Sequence, residues 1–145
     1  MKKLALAGLM AATLTGCSSQ EEPQVLNLYN WSEYMPQEVL DRFEEETGIQ
    51  VVYTTYDSNE AMYARLKLLD DSGQYDLALP STYYVNKMRE EGLLEKINHE
   101  KLEGFEKLDP ELTNLDIDPE NQYRFPTSGA PQGWPTMPMM LRAKR

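Results

Sequence analysis

The amino-acid sequence predicts an α/β fold, a parallel sheet with flanking helices. Three observations carry the prediction. Apolar runs of strand length recur at residues 25–30, 49–56 and 75–80. The segment after each run changes to helical spacing. Gly48, the Ser72-Gly73 pair and Pro80 fall where one period gives way to the other. Strand and helix alternating in this way specify a parallel sheet with right-handed crossovers.

The leader MKKLALAGLMAATLTGC precedes that pattern. It has a basic start, Lys2 and Lys3, and an apolar stretch from Leu4 to Leu14, too short to span a bilayer. It closes on Leu14-Thr15-Gly16-Cys17, which resembles a bacterial lipobox. In that pattern Cys17 is lipidated and becomes the mature N-terminus; the alternative is an ordinary buried or free thiol. Cys17 is the only cysteine, so no internal disulfide can form. Acyl chains would tether the protein to a membrane it does not cross. Residues 1–16 are therefore expected to be a lipoprotein signal peptide, and 17–24 a polar tether.

The body follows in order. VLNLYN, 25–30, suits a buried strand. Pro36 is placed in the first turn of a helix, where its missing N–H is no loss, and PQEVLDRFEEETG continues it. Val39, Leu40, Phe43 and Thr47 make one face of that helix and the acidic residues the other. Gly48 stops it. IQVVYTTY, 49–56, is β-branched and aromatic, a second strand. Ser58 or Asn59 is the predicted cap of a helix carrying Met62, Leu66 and Leu69, which Ser72-Gly73 breaks. YDLALP, 75–80, is the third strand, and Ser81 opens a third helix with Val85 and Met88 facing inward.

Composition narrows the partners. The chain has 145 residues and a formal net charge of −10. Nucleic acid is excluded as a partner, because its phosphates need basic patches. An acidic surface suits a cationic partner, whose local concentration it raises.

The parallel arrangement points to a site. In open parallel sheets ligands bind beyond the carboxyl ends of the strands. Trp31, Ser32, Glu33 and Tyr34 follow the first strand directly, and Ser81, Thr82, Tyr83 and Tyr84 follow the third. Two aromatic, hydroxyl-bearing loops are thus expected at one edge. Aromatics at strand ends also simply cap cores, and composition alone leaves both readings open.

The stretches LYNWSEYMPQEVLDRFEEETGIQVVYTTYDSNEAMYARLK and YDLALPSTYYVNKMREEGLLEKINHEKLEGFEKLDPEL resemble the bacterial spermidine/putrescine-binding proteins of polyamine ABC transporters. The likeness covers residues 25–126 through the ordered motifs YNW-x-EY, ETGI-x-V, Y-x-SNE-x-MYA-x-L and YDL-x-x-PSTYYV. It implies a periplasmic-binding-protein type II-like fold, of which 25–126 would be the first part of the N-terminal lobe. It implies a polyamine ligand, spermidine or putrescine, flanked by Trp31 and Tyr34, with contributions from Ser81 and Tyr83 and, less directly, from Ser32 and Glu33. It also implies a membrane permease as partner, a periplasmic location with Cys17 holding the lipid anchor, no cofactor and no enzymatic activity. The residue types fit that chemistry. Aromatic faces cover methylenes and attract ammonium groups, each such contact worth roughly 0.5–2 kcal/mol. Carboxylates must pair with the cations, since burying an unpaired charge costs far more. Tyrosine and serine hydroxyls accept the remaining N–H groups.

The tail, 127–145, departs from this family. TSGAPQGWPTMPMMLRAKR shows neither period, whereas the family continues from YRFP with an aromatic residue, a Trp-Gly pair and a return strand. Back-translated with chosen synonymous codons and shifted by one base, the tail reads YIWGATGLANNADDVESKA, similar to the family's continuation. Three positions of that reading are forced: Trp134 before Pro135 gives Ala, Met137 before Pro138 gives Ala, and Met139 before Met140 gives Asp. The tail is therefore expected to be non-native, the product of one base lost near the Pro126 codon, with a divergent tail as the alternative. Without return elements the sheet is expected to keep an exposed edge, to fold only in part and to bind spermidine negligibly.

Other features carry less. Asp116, Asp118 and Glu120 alternate like the start of a calcium loop but lack its Gly and final Glu, so an acidic turn is expected. His99 is the only histidine, which argues against a metal cluster. Glu21-Glu22, Glu44-Glu45-Glu46 and Glu90-Glu91 read as solvated faces. Two other readings compete with the receptor: a remnant with no ligand, and an α/β hydrolytic enzyme, for which no acid-base pair stands out.

Overall fold

The structure, a computed structural model, describes residues 23–69, 74–102, 104–126 and 138–141. The leader, Cys17, the Ser72-Gly73 break and most of the tail lie outside them.

The three predicted βα units are present. They are β1 (Val25–Trp31), α1 (Gln37–Thr47), β2 (Gln50–Tyr56), α2 (Asn59–Leu69), β3 (Leu77–Ala78) and α3 (Thr82–Glu90). Single 3₁₀ turns follow, then β4 (Arg124–Pro126) and β5 (Pro138–Leu141). The sheet order is β2-β1-β3-β5-β4. β1 lies parallel to β2, with Val25 opposite Gln50 and Trp31 opposite Tyr56. β1 also lies parallel to β3, with Leu28 opposite Leu77 and Tyr29 opposite Ala78.

The sheet is mixed rather than wholly parallel, because β5 runs antiparallel to both β3 and β4. The tail thus contributes backbone pairing along the edge of β3 that was expected to stay open. The four-residue run 138–141 is too short to display a period of two, so its sequence carried no strand signal. β3 is also shorter than YDLALP. Asp76 still lies against β1: its N–H donates to the Asn27 carbonyl, and its carboxylate accepts bonds from the backbone N–H and the side-chain amide of Asn27.

Helix boundaries follow local chemistry. Pro36 is the extended N-cap of α1, outside the first turn where it was expected, and Gly48 closes the helix at φ +71°. Only glycine adopts that left-handed turn freely. Ser58, not Asn59, caps α2: its hydroxyl accepts the Ala61 N–H and its carbonyl the Met62 N–H. Asn59 begins the helix and turns its side chain elsewhere.

Alternate β1 residues serve two cores, as a strand's period of two requires. Tyr29 joins Tyr56, Met62, Leu66, Tyr75, Ala78, Val85 and Met88 on the face covered by α2 and α3. Leu28 joins Leu40 and Leu79 on the α1 face. That second core is small, and α1 buries only Leu40 of its predicted face; Val39 is exposed.

The acidic turn at 116–121 differs from expectation in one respect: Asp118 is fully buried. Its carboxylate accepts the backbone N–H groups of Tyr123 and Arg124. Arg124 is buried beside it and donates from Nη2 to the Leu112 carbonyl at 2.7 Å. Burial pulls the Arg124 guanidinium below its ordinary pKa, and the Asp118 charge opposes that. His99 does not stand alone either. Its Nε2 lies 2.7 Å from the Asn121 carbonyl, and its ring stacks on Phe105.

Candidate functional site

β1, β2 and β3 are parallel neighbours, so their carboxyl ends emerge at one sheet edge. Trp31 is the last residue of β1 and half-buried. Its indole packs on the Tyr56 ring, centroids 4.8 Å apart. Its carbonyl accepts the Tyr34 N–H and the Tyr53 hydroxyl, folding residues 31–34 into a tight turn. Glu33 takes φ +55° in that turn, a left-handed conformation that costs a non-glycine residue about 1 kcal/mol. It exposes the Glu33 carboxylate to solvent, next to an exposed Tyr34. Ser32 donates from its backbone to the Tyr56 carbonyl and from Oγ to Asp57 Oδ1 at 2.6 Å.

The second loop starts where β3 ends. Ser81 is the extended N-cap of α3 and is buried. Tyr83 lies two residues on, with 63% of its surface exposed. The Tyr84 ring meets the Tyr83 ring edge-on, centroids 5.2 Å apart, and also packs on Tyr63, while its hydroxyl donates to Glu60. Partial burial and the Glu60 carboxylate both hold the Tyr84 phenol above its ordinary pKa.

Tyr56 joins the two loops. Its ring supports Trp31, and its hydroxyl donates a short hydrogen bond to the Leu79 carbonyl, two residues before Ser81. Burial raises its pKa far above the usual tyrosine range, so it stays neutral at physiological pH.

The structure thus brings Trp31, Ser32, Glu33, Tyr34, Ser81 and Tyr83 to one edge. It adds two residues that sequence reasoning missed. Asp57 and Asn59 leave the end of β2 at the same place. Asp57 holds Ser32; Asn59, almost wholly buried, bonds both Ser81 and Tyr83. A third strand end at the same sheet edge was the available signal. The arrangement offers aromatic faces, exposed carboxylates and hydroxyls, a set suited to an elongated cation. It is an open wall. A cavity of about 550 Å³ lined by Ile97, His99 and Gln122 lies elsewhere and shares no residue with these loops.

A parallel βα sheet with polar and aromatic groups beyond its strand ends is the lobe architecture of a ligand-binding protein, and the comparisons agree. The description "bacterial extracellular solute-binding protein" covers residues 30–141, and the chain belongs to that family. The spermidine/putrescine-binding periplasmic protein of Salmonella typhimurium is 48% identical over 125 residues, covering 86% of this chain and 35% of the relative. Among solved structures, the spermidine/putrescine ABC transporter substrate-binding protein of Streptococcus pneumoniae is 48% identical with a TM-score of 0.67, covering 71% of this chain and 31% of that one. A Treponema pallidum lipoprotein is 36% identical with a TM-score of 0.66, covering 72% and 33%. The chain therefore spans about a third of the length of the relatives it matches. Its fold is the periplasmic-binding-protein α/β type, present as a partial lobe.

Proposed function

We propose that the chain carries one wall of a polyamine site, that of the extracytoplasmic receptor of an ABC importer. One observation carries the reading. The loops WSEY and STYY meet at one sheet edge in a chain 48% identical to a protein named for binding spermidine and putrescine. Trp31 and Tyr34 would lie against the methylenes, Ser81 and Tyr83 would accept ammonium hydrogens, and Ser32 and Glu33 would complete the wall. The relatives' names place such receptors in the periplasm. The lipobox at Cys17 would hold this one to a membrane, and a permease would receive the ligand.

One wall pairs the cations only with solvent-exposed carboxylates, whose ion pairs are weak, so the 145-residue chain is expected to lack micromolar affinity. We further propose that 127–145 is read in a shifted frame. The forced Ala, Ala and Asp positions support this; the β5 pairing and a family match reaching residue 141 are what a native return strand would also give. Resequencing across the codons for Phe125 to Arg145 decides between them.

Calorimetry tests the site. Spermidine and putrescine should give no micromolar isotherm with the 145-residue chain and a micromolar one when the frame is restored at the Pro126 codon. A restored chain without binding heat overturns the polyamine reading. Micromolar binding by the 145-residue chain overturns the need for a second wall.

A further inference from the structure

We propose that Asn59 is the positioning residue of this site: its carboxamide sets Ser81 and Tyr83 in place and fixes the direction of their hydrogen bonds. The inference deepens the polyamine reading and rests on it for the identity of the ligand.

The geometry is specific. Asn59 starts α2, yet its side chain crosses to the start of α3, 22 residues on. Its Oδ1 accepts the Ser81 backbone N–H at 3.0 Å. That bond fixes which end of the amide is oxygen, because a backbone N–H can only donate. The Nδ2 end then has two hydrogens to give. One goes to Ser81 Oγ at 3.0 Å and the other to Tyr83 Oη at 2.7 Å. Asn59 and Ser81 are both buried, whereas the Tyr83 ring stands mostly in solvent. An exposed tyrosine loses rotamer freedom when a ligand orders it, and a buried anchor at its hydroxyl removes part of that loss beforehand.

Fixing the direction has a chemical consequence. Each hydroxyl oxygen already receives a hydrogen from Asn59, so each keeps one lone pair and its own O–H. The lone pair suits an ammonium group, which can only donate. An aspartate at this position would reverse the pattern, making both hydroxyls donate inward.

The test uses the 145-residue chain with its tyrosines labelled at Cζ and its tryptophans at Nε1 for NMR. N59A removes all three bonds, and N59D keeps an acceptor for the Ser81 N–H while changing the partner of Tyr83 from donor to acceptor. Both should move the Tyr83 signal, by different amounts, and leave those of Tyr53 and Tyr56 in place. A purely structural role would move all three together or none, and either result overturns the proposal. N59D covers the case in which N59A fails to fold. Spermidine, added to millimolar concentration, supplies a second readout. In the wild type it should shift Tyr83 and Trp31 with one midpoint, and in N59A that midpoint should rise roughly three- to tenfold at both residues, the value of one net hydrogen bond. Equal responses of Tyr83 in wild type and N59A overturn the role of Asn59 alone. No response at either residue in the wild type overturns the polyamine reading, while the Tyr83 signal without ligand still decides the positioning.

Discussion

Tyr56 shows how one side chain joins two loops that the sequence places 50 residues apart. Its ring backs Trp31 and its hydroxyl satisfies the Leu79 carbonyl inside the core. A phenol in that position cannot ionise cheaply, so burial raises its pKa above the unfolded value near 10. The sign of the consequence follows. Below pH 10 the group is neutral in both states. Above it the unfolded chain loses a proton that the folded chain keeps, so stability falls as pH rises, by about 1.4 kcal/mol per unit for one such group. Tyr29 and Tyr53, raised by burial too, add to the slope. Denaturant titrations of wild type and Y56F at pH 8 and 11 check this. Y56F should cost about 1 kcal/mol at pH 8 through the lost hydrogen bond and show a shallower decline to pH 11. Parallel declines would show that Tyr56 is not the group responsible. Asn59 marks the limit of reading single residues in sequence. It was visible as a candidate cap, but its partners lie 22 and 24 positions away, and no local pattern announces a bond of that span.

At the scale of elements, α2 separates legible packing from the rest. Met62 and Leu66 were expected inside and are fully buried, while Leu68 on the opposite face is 87% exposed. M62A and L66A should each cost about 2–5 kcal/mol by leaving a cavity, and L68A should change stability by less than about 0.5 kcal/mol. Thermal unfolding of the three variants checks it; a destabilising L68A would mean that something covers that face. The first two strands and the first helix were legible because each is long enough to show its period, and Gly48 gives the helix a mechanical reason to stop; β3, two residues long, was legible only through the apolar run YDLALP around it. α1 was over-read. Its apolar residues match a helical face, but the small core beside β1 has room for Leu40 and not for Val39. Asp118 was read as part of an acidic turn, and its burial with Arg124 was not foreseen, because two charges in an acidic loop look solvated until the chain folds over them. The site loops were legible for the opposite reason. A parallel sheet delivers successive strand ends to one edge whatever the loops contain, so WSEY and STYY could be paired before any contact was known.

For the whole molecule, the open question is what completes the sheet. Among the described residues β2 forms one edge of the sheet and β4 the other, and β5 joins β4 to the parallel strands. That link is short. β3 offers two residues to β5, and β4 offers three. Removing it would leave β3 with an unpaired edge at its most buried position, beside Tyr29 and Ala78, where free backbone groups invite pairing with another chain. A chain ending at Pro126 should therefore be cut faster by protease across residues 25–95 than the 145-residue chain, and should aggregate at concentrations where the longer one stays dispersed. Limited proteolysis of both, with the Streptococcus pneumoniae relative as the standard of a complete receptor, measures the effect. If the truncated chain is cut at the same rate as the 145-residue chain, the β5 pairing contributes nothing to the stability of the lobe. If the 145-residue chain matches the complete relative, the partial lobe is self-sufficient, and what a longer chain would add is the second wall of the site and no part of the stability of the first.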